Sequence, residues 1–374
     1  MKGSLRERQA GNWELIVQLP RDPETGLRKQ LSRTHYGTKR EAQRALAALV
    51  AQVSEGKITS TAKTLGQLLD SWIDHVEGSL SPTTVREYRR LTERLIKPDV
   101  GSLRLGRVTT KRLDDYYAML SKERGLSPAT IRHVHAVFRG AFGQAVKWSI
   151  VPMNPAAAAS PPKLRQREIN PPSIVDVKRM LELADEDDPE YGALLRVLTA
   201  TGARRGEVCG LRWSDLDRST RTLSIKRSIA SVAGGTVVKD TKTHASRRIA
   251  LDDATVAVLD AQRRRLEERA DACDLELDPD GYVFTESADG ADPLHPDTIT
   301  GRFTRVRKQA GLDSVRLHDL RHLHATQLLA AGVPVRTVSG RLGHANAATT
   351  LNVYAHFLEA SDRQAADVIG GLLD

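Results

Sequence analysis

Residues 317–356 read L-H-D-L-R-H-L-H-A-T…R-L-G-H-A-N-A-A-T-T-L-N-V-Y-A-H, and they concentrate ionisable side chains between apolar residues. His318 and Arg321 stand three residues apart, so they share one face of a helix. Glycine and proline then turn the chain, a second helix carries His344, and a third carries Tyr354. Two imidazoles, a guanidinium and a phenol in one stretch predict an active site.

These four side chains suit one kind of substrate, a phosphodiester. Arg321 offers a planar pair of donors to the non-bridging oxygens. The imidazoles of His318 and His344 donate or relay protons, and the phenolic oxygen of Tyr354 attacks phosphorus to give a covalent intermediate. That chemistry requires no metal ion.

Each of these residues, taken alone, also has an ordinary structural explanation. A tyrosine in a helix commonly packs with its hydroxyl bonded to a neighbour, and His318, His322 and His324 also fit one solvated helix face. A zinc site at His318 and His322 is a poorer fit, because the sequence is H-D-L-R-H and not H-E-x-x-H. The cationic Arg321 between them would also repel a metal ion. The sequence predicts no metal site here.

A second basic segment lies upstream. Residues 201–213 read T-G-A-R-R-G-E-V-C-G-L-R-W, and residues 241–249 read T-K-T-H-A-S-R-R-I. Together with H-x-x-R, L-G-H and the final tyrosine, these elements stand in the order of a known signature. The chain resembles the tyrosine recombinases, the phage integrase family, most strongly over its C-terminal half.

The resemblance implies a role for each matching position. Tyr354 is the nucleophile and leaves a 3′-phosphotyrosine and a free 5′-hydroxyl. Arg204 and Arg321 neutralise the charge that develops on the non-bridging oxygens, with a geometry that lysine does not reproduce. Lys242, expected in a β-hairpin turn, is the general acid for the departing 5′-oxygen, and Lys239 is its rival.

The remaining polar residues of these motifs take supporting roles by the same resemblance. His318 assists proton removal from Tyr354 or orients the phosphate, and His344 donates to a phosphate oxygen. Glu207 cannot bind phosphate, so it is expected to hold Arg204 or His318 in place. Two further residues are predicted to be structural or to contact the DNA backbone, His322 and Arg205.

The resemblance also implies a reaction and its partners. Bond energy is conserved in the phosphotyrosine, so no cofactor, ATP or metal ion is needed. The expected function is site-specific recombination that integrates or excises a phage or mobile element, with a homotetramer on double-stranded attachment-site DNA. A host DNA-bending protein or an excision factor is a further expected partner. Two alternatives share the fold or the chemistry: a DNA-binding protein that does not cut, and a relaxing enzyme like the type IB topoisomerases.

Composition agrees with an anionic partner. The 374 residues include 56 Lys and Arg against 47 Asp and Glu, which gives a net charge of +9. Nucleic acid is therefore the leading candidate. Cys209 and Cys273 are too few for a disulfide framework or a four-cysteine zinc site. The N-terminus has no apolar signal segment and no stretch approaches the roughly 18 apolar residues of a membrane span, so a cytoplasmic protein is expected.

Residues 1–60 predict a small basic domain. They carry 11 Lys and Arg against 6 Asp and Glu. Residues 13–19 and 28–36 have strand character around a D-P-E-T-G turn, and Thr38 caps a helix that extends to Val53. This small sheet backed by a helix resembles the arm-type DNA-binding domains of integrases; a solvated basic segment without a partner is the alternative. The arginines and lysine expected to bind DNA here are Arg28, Lys29 and Arg33.

Residues 64–158 predict a helical block that resembles the core-binding, SAM-like domain of the family. An apolar stripe begins at Leu65, and two helix starts echo each other, S-P-T-T-V-R at 81–86 and S-P-A-T-I-R at 127–132. Each places a serine N-cap before proline at the first helical position. The arginine that follows one turn later is predicted to contact DNA in both, Arg86 and Arg132. An all-α packing module is the alternative.

The rest of the chain predicts a linker and a catalytic domain. A proline-rich, basic stretch runs from Pro152 to Pro172, and residues 159–172 are predicted to be the linker. Residues 173–374 are expected to form a mixed α+β catalytic domain in which strands near 222–229, 236–240 and 247–251 make one antiparallel sheet. The fold class is therefore mainly α with small antiparallel β-sheets in a multi-domain tyrosine-recombinase architecture.

The chain ends in a predicted amphipathic helix. Ser361 is expected to cap it, and apolar residues recur at helical spacing from Ala365 to Leu373. The resemblance implies that this tail docks on a neighbouring protomer. Folding back onto its own domain is the alternative.

Overall fold

A computed structural model describes residues 3–19, 30–54, 63–164, 171–232, 234–240, 246–344, 346, 348, 350–351 and 360–373. The chain separates into two compact units, 1–166 and 167–374. Among the described residues, no helix is long and apolar enough to cross a membrane.

The N-terminal residues form a three-stranded antiparallel sheet in the order β1-β2-β3, covered on one face by helix α1. Alternate residues of β2, Trp13, Leu15 and Val17, are buried against α1, as period-2 patterning requires. Thr38 caps α1 together with Glu41, which confirms the predicted helix start. The four elements are β1 Gly3–Gln9, β2 Asn12–Gln18, β3 Gln30–Tyr36 and α1 Lys39–Ser54.

The sequence predicted two strands here, and that prediction missed β1. Within G-S-L-R-E-R-Q only Leu5 is apolar, so no alternation announces a strand. Pairing with β2 supplies the backbone hydrogen bonds instead, from Gly3 opposite Val17 to Gln9 opposite Asn12. Arg28 and Lys29 lie outside the described residues.

A block of helices follows, with its own core. Leu65, Leu68 and Trp72 of the predicted stripe are buried with Phe138 and Phe142 of the longest helix of the block. Both predicted serine caps are confirmed: each serine side chain accepts a backbone N–H three residues on, with proline at the first helical position. The helices are α2 Leu65–Val76, α3 Pro82–Leu91, α4 Lys97–Val100, α5 Thr110–Lys122 and α6 Pro128–Lys147, with a π-helical turn at Thr92–Ile96.

The first part of the proline-rich stretch belongs to this helical block. Ala156 is fully buried in the core. The Thr110 hydroxyl donates to the Pro155 carbonyl at 2.9 Å, and the Ser160 backbone N–H donates to Asp114 at 2.7 Å. These bonds hold the chain against α5. Residues 165–170 lie outside the described residues.

The second unit begins with two helices that pack on each other, α7 and α8. Its hydrophobic core also includes buried residues from the small sheets and from further helices. Helices α7 and α8 both begin at a polar cap, Ser173 for α7 and Asp188 for α8. The helices are α7 Ile174–Asp187, α8 Pro189–Thr201, α9 Arg205–Cys209, α10 Asp253–Ala272, α11 Pro296–Gln309, α12 Asp319–Ala330, α13 Val335–Leu342 and α14 Ala360–Leu373.

The strands of this unit form two sheets, so the prediction of one sheet was wrong. The predicted strand at 222–229 is interrupted near Lys226 and Arg227, which both pair with the buried carboxylate of Asp215. Consequently the first piece pairs with the last strand and the second piece pairs with its hairpin partner. The strands are β4 Leu216–Asp217, β5 Thr222–Ile225 and β8 Arg247–Ala250 in one sheet, and β6 Arg227–Val232 and β7 Gly235–Asp240 in the other.

The strands on either side of Lys242 in the sequence, β7 and β8, belong to different sheets. Lys242, expected in a turn between paired strands, lies outside the described residues together with the rest of residues 241–245.

The tail is helical, with a different start from the predicted one. Ser361 lies inside α14 and is not its cap, because the helix already includes Ala360. Three of its apolar side chains are exposed to solvent: Ile369 is 56%, Leu372 76% and Leu373 82% exposed.

Candidate active site

Arg204 lies where α8 turns into α9. Helix α8 ends at Gly202, which has φ +63°, a left-handed conformation that glycine adopts without a steric cost. A Cβ atom on Gly202 would lie 2.8 Å from the His324 ring, so space as well as conformation requires glycine. The chain leaves this turn with Arg204 as the first residue before α9. The Arg204 side chain is 45% exposed and can reach a bound anion.

Glu207 is the buried carboxylate that orients Arg204. One carboxylate oxygen accepts the Arg204 backbone N–H at 2.7 Å, and the other accepts Nη1 of Arg204 at 2.9 Å. Arg247 donates to the same two oxygens, Nη1 at 3.1 Å and Nη2 at 2.6 Å. Burial by itself would raise the pKa of Glu207, but the hydrogen bonds and charges of Arg247 and then Arg204 outweigh it and hold the pKa below its usual value.

Arg321 is buried and is hydrogen-bonded to the ends of two helices. Its Nη1 donates to the Gly202 carbonyl at 2.5 Å, and its Nη2 donates to the Leu342 carbonyl at 2.6 Å. Only 3% of the residue is exposed. The structure therefore adds a role that the sequence did not predict for Arg321, which is to fix the end of α8 relative to the end of α13.

Three arginines meet the C-terminus of α13. Successive carbonyls at its end each accept one of them: Arg341 from Nε of Arg247 at 2.8 Å, Leu342 from Arg321, and Gly343 from Nη2 of Arg204 at 3.4 Å. The carbonyl end of a helix carries partial negative charge and favours cations. Gly343 then takes φ +67° and directs the chain to His344.

His344 lies directly beyond this helix end. Its Nδ1 is 2.8 Å from the hydroxyl of Thr350, which is fully buried. Partial burial, followed by the charges of Arg321 and Arg204, lowers the pKa of His344 to about 4. The ring is therefore neutral at neutral pH. When the Thr350 hydroxyl donates to Nδ1, the ring proton is on Nε2.

His318 immediately precedes α12, and its ring meets that of His322 edge to face with a centroid distance of 4.8 Å. The part of the His318 ring that faces the protein is shielded from water. This desolvation, followed by the charges of His322 and Arg321, lowers the pKa of His318 to about 4. Arg204 contributes to the lowering of both His318 and His344. These three side chains therefore share one electrostatic neighbourhood, in which two neutral imidazoles accompany an accessible guanidinium.

Two predicted catalytic residues cannot be placed. Tyr354 and Lys242 lie outside the described residues. Lys239, the rival general acid, is in β7 opposite Ser228. Among the described residues, no cluster of three or more histidine, cysteine, aspartate or glutamate side chains could hold a metal ion.

The predicted DNA contacts have varied surroundings. Arg86 is exposed on α3, and Arg33 is exposed on β3. Arg132 donates to the Pro162 carbonyl at 3.4 Å. Arg205 is bound to α11 through Asp297 at 3.2 Å and Thr300 at 2.5 Å, which favours the structural alternative for this residue.

Sequence patterns did not single out Arg247, His324, Arg341 or Thr350. Arg247 and Arg248 are adjacent and chemically identical, so only the side of strand β8 on which each lies distinguishes them. Nδ1 of His324 donates to the Thr199 carbonyl at 3.1 Å. The helical spacing of His324 from Leu320 and Leu328 could have indicated a buried position.

Comparisons with known proteins show which family the chain resembles. The chain matches the profile of the phage integrase family over residues 175–360 and that of the phage integrase N-terminal SAM-like domain over residues 64–121. A tyrosine recombinase XerC-like protein of Caldanaerobacter subterraneus is 26% identical over 96% of both chains. The ICEBs1 integrase of Bacillus subtilis is 24% identical over 99% of this chain and 100% of the relative.

Two solved structures share the fold. The Tn1549 transposon integrase in complex with transposon right end DNA has a TM-score of 0.69 at 23% identity, over 82% of this chain and 99% of that one. A lambda integrase tetramer bound to a Holliday junction has a TM-score of 0.58 at 20% identity, over 92% and 94%. With the matched family profiles and the order of its motifs, the chain belongs to the phage integrase family and is a tyrosine recombinase.

Proposed function

We propose that this recombinase cleaves and rejoins DNA at attachment sites through a 3′-phosphotyrosine formed on Tyr354, and that it integrates or excises a phage or mobile element. The observation that carries this proposal is that Arg204 and His344 lie at the end of α13, and that the charge of Arg204 acts on both His318 and His344. The nucleophile follows His344 by ten residues in the sequence. In this proposal the protein acts on DNA in the cytoplasm.

In the cleavage step, the phenolic oxygen of Tyr354 attacks the scissile phosphorus and the bond to the 5′-oxygen breaks. Lys242 protonates the departing oxygen, which leaves as a 5′-hydroxyl. His318, whose ring is neutral at neutral pH, receives the phenolic proton on its unprotonated nitrogen. Rejoining is the reverse attack by a 5′-hydroxyl on the phosphotyrosine.

Charge develops on the non-bridging oxygens during this exchange. Arg204 is the accessible cation for them, and Glu207 fixes its orientation before substrate binds. Donors aimed in advance at developing charge stabilise a transition state by several kcal/mol, on the order of 3 for each donor. Arg321 adds positive charge from behind, and a neutral His344 with its proton on Nε2 donates one further hydrogen bond.

The rest of the chain binds and assembles on DNA in this proposal. Residues 1–60 bind arm-type sites, residues 64–158 and residues 173–374 each bind the core site, and residues 159–172 link these two domains in the sequence. Arg28, Lys29, Arg33, Arg86 and Arg132 supply contacts to the DNA backbone, which releases counterions and makes binding dependent on salt. Any host bending protein or excision factor joins this complex.

A homotetramer is inferred as the assembly that exchanges strands. The lambda integrase of similar fold is a tetramer on a Holliday junction. In this chain, Ile369, Leu372 and Leu373 of α14 are exposed and form an apolar surface for a neighbouring protomer. Burial of such side chains on association is favourable, by about 1.5–3 kcal/mol for each that is fully buried.

A nicked core site tests the proposal. When the nick lies close to the scissile phosphate, the short fragment that carries the 5′-hydroxyl diffuses away and the phosphotyrosine accumulates. We expect a covalent protein–DNA adduct on a denaturing gel in the presence of EDTA. Tyr354→Phe should bind the DNA without forming the adduct.

The matched control is Tyr36→Phe, which alters a tyrosine that is 76% exposed and far from these motifs in sequence. It should form the adduct at the wild-type rate on a core site that lacks arm sequences. An adduct that survives Tyr354→Phe, or one that requires a divalent ion, would contradict the mechanism.

A further inference from the structure

Arg247 is the first residue of β8, and all three nitrogens of its guanidinium donate hydrogen bonds to protein groups. Its two terminal nitrogens bind both oxygens of Glu207, at 3.1 and 2.6 Å, and Nε binds the Arg341 carbonyl at 2.8 Å. The side chain is only 10% exposed. A planar fork that binds a carboxylate through two bonds is a geometry that lysine cannot supply.

Arg247 also requires glycine at position 343. A Cβ atom on Gly343 would lie 2.8 Å from Nη1 of Arg247. The guanidinium therefore packs on the turn that leads from α13 to His344. Through this packing and the Glu207 pair, one side chain contacts both the segment that presents Arg204 and the segment that presents His344.

Charge explains why a second cation is needed at Glu207. A lone Glu207–Arg204 pair would be neutral, and both carboxylate oxygens would be free to draw the Arg204 guanidinium inward. With Arg247 bound through two hydrogen bonds, the group of three keeps a net charge of +1. Arg204 is then held at Oε1 through Nη1 while 45% of its side chain stays exposed.

Arg247 is also close in sequence to the candidate general acid. It follows Lys242 by five positions, so the two Cα atoms lie at most roughly 18 Å apart. Anchoring Arg247 to α13 therefore ties one end of this connection to the phosphate-binding group.

We propose that Arg247 is a positioning residue of the recombination site: it satisfies Glu207 so that Arg204 faces the scissile phosphate, and it holds the α13 turn that presents His344. This inference rests on the proposed function, since it assigns Arg247 to the same strand-cleavage reaction. Arg247 itself does not contact the DNA in this role.

Adjacent arginines provide the test. Arg247→Met removes the fork but keeps the length, and Arg248→Met is the matched control, because Arg248 is exposed on the opposite side of the same strand. On a nicked core site we expect Arg247→Met to lower the single-turnover cleavage rate by about 10²-fold, with the Kd for that DNA changed by less than about fivefold. Arg248→Met should cleave within about twofold of wild type.

A double variant separates positioning from folding. Glu207→Gln combined with Arg247→Met removes the carboxylate that would draw Arg204 inward, so it should cleave about tenfold faster than Arg247→Met alone. Arg247→Lys, with a single point of attachment, should fall between wild type and Arg247→Met. Thermal unfolding of each variant must show folded protein at the assay temperature; if Arg247→Met does not fold, Arg247→Lys alone decides.

The outcomes distinguish this inference from the proposed function. If wild type forms no adduct, the proposed function fails and Arg247 has no reaction to serve. If wild type forms the adduct and folded Arg247→Met or Arg247→Lys cleaves at the wild-type rate, the positioning role is wrong. Loss of DNA affinity in proportion to the loss of cleavage would also overturn it, because Arg247 would then act as a DNA contact.

Discussion

Helices α8 and α13 end in the same way, yet the two ends have different surroundings. Both stop at a left-handed glycine, Gly202 with φ +63° and Gly343 with φ +67°. Both present carbonyls to basic side chains. At α8 the donors are His324 to Thr199, Arg341 to Ala200 and Arg321 to Gly202; at α13 they are Arg247, Arg321 and Arg204.

The difference lies in what else the cations contact. At the α8 end, His324 is largely enclosed, and Arg321 is 3% exposed. At the α13 end, the buried Glu207 binds two of the arginines and leaves one of them accessible. The same way of ending a helix therefore leaves the basic side chains buried in one place and leaves one arginine accessible in the other. The accessible arginine is at the α13 end, where the buried carboxylate of Glu207 holds Arg204 outward.

The largest effect is expected at Arg321, the residue that both ends share. Arg321→Lys cannot reach both carbonyls, so one or both become unsatisfied in a buried place. We expect the free energy of unfolding to fall by about 2–4 kcal/mol, measured by denaturant unfolding. Strand cleavage should fall by about 10³-fold.

Arg204→Lys sharpens this comparison, because Arg204 belongs only to the accessible end. Its ion pair is partly exposed, so the free energy of unfolding should change by less than about 1 kcal/mol. Cleavage should still fall by about 10²–10³-fold. Equal losses of stability in the two variants would show that the two ends do not differ as described.

The enclosed histidine of the α8 end predicts a pH dependence of stability. Burial, then the charge of Arg341, lowers the pKa of His324 to about 4, whereas its unfolded value is about 6.5. Between these values the unfolded chain binds more protons, so the free energy of unfolding falls as the pH is lowered from 6.5 towards 4. The contribution of His324 is on the order of 3 kcal/mol.

His324→Gln keeps a side-chain donor for the Thr199 carbonyl but does not titrate. Compared with wild type, it should therefore lose less stability between pH 6.5 and 4, as measured by urea unfolding at a series of pH values. At pH 8, where histidine is neutral in both states, the comparison reports only the change in packing. A pH profile identical to that of wild type would be evidence against an enclosed His324.

Gly343, which follows α13, and Gly332, which follows α12, allow a smaller, more local test. Gly343→Ala places a methyl group against Arg247 and forces a left-handed alanine, which costs about 1–2 kcal/mol. Gly332→Ala has the same backbone cost at φ +76°, but no described atom lies within 4 Å of the added Cβ. We expect both to lose similar stability, and only Gly343→Ala to lose cleavage, by about tenfold. Equal cleavage by the two variants would contradict the contact between Gly343 and Arg247.

The smallest effect is expected at Thr350, whose hydroxyl is hydrogen-bonded to Nδ1 of His344. Thr350→Val keeps the shape and removes the hydroxyl, so Nδ1 loses its partner and the proton is no longer restricted to Nε2. One hydrogen bond of about 1 kcal/mol corresponds to a fall of about fivefold in cleavage. Thr350→Ser should retain the wild-type rate, and ¹⁵N chemical shifts of the imidazole report the tautomer directly.

Much of this arrangement could be predicted from local sequence. The Ser81 and Ser127 caps, the apolar stripe from Leu65 and the helices around His318 and His344 follow from spacing and capping, which act within a few residues. The order of the motifs was sufficient to indicate the family, which the matched profiles confirm. The roles of Tyr354 and Lys242 remain predictions.

Long-range contacts were not predicted, and they explain the errors. Strand β1 has almost no apolar alternation and exists because β2 pairs with it. The expected single sheet became two because Lys226 and Arg227 turn towards Asp215, more than ten residues earlier. Such pairings depend on which distant segments meet, and short patterns do not contain that information.

The sequence by itself determined which chemical groups this recombinase has, since an arginine or a histidine in a motif is the same group in any fold. The tertiary structure decided how those groups are used. It gave Arg247 a partner 94 residues away at Arg341 and left the neighbouring Arg248 in solvent. It buried Arg321 between two helix ends and exposed Arg204. Burial and hydrogen-bond partners are properties of packed surfaces, and only the folded chain brings those surfaces together.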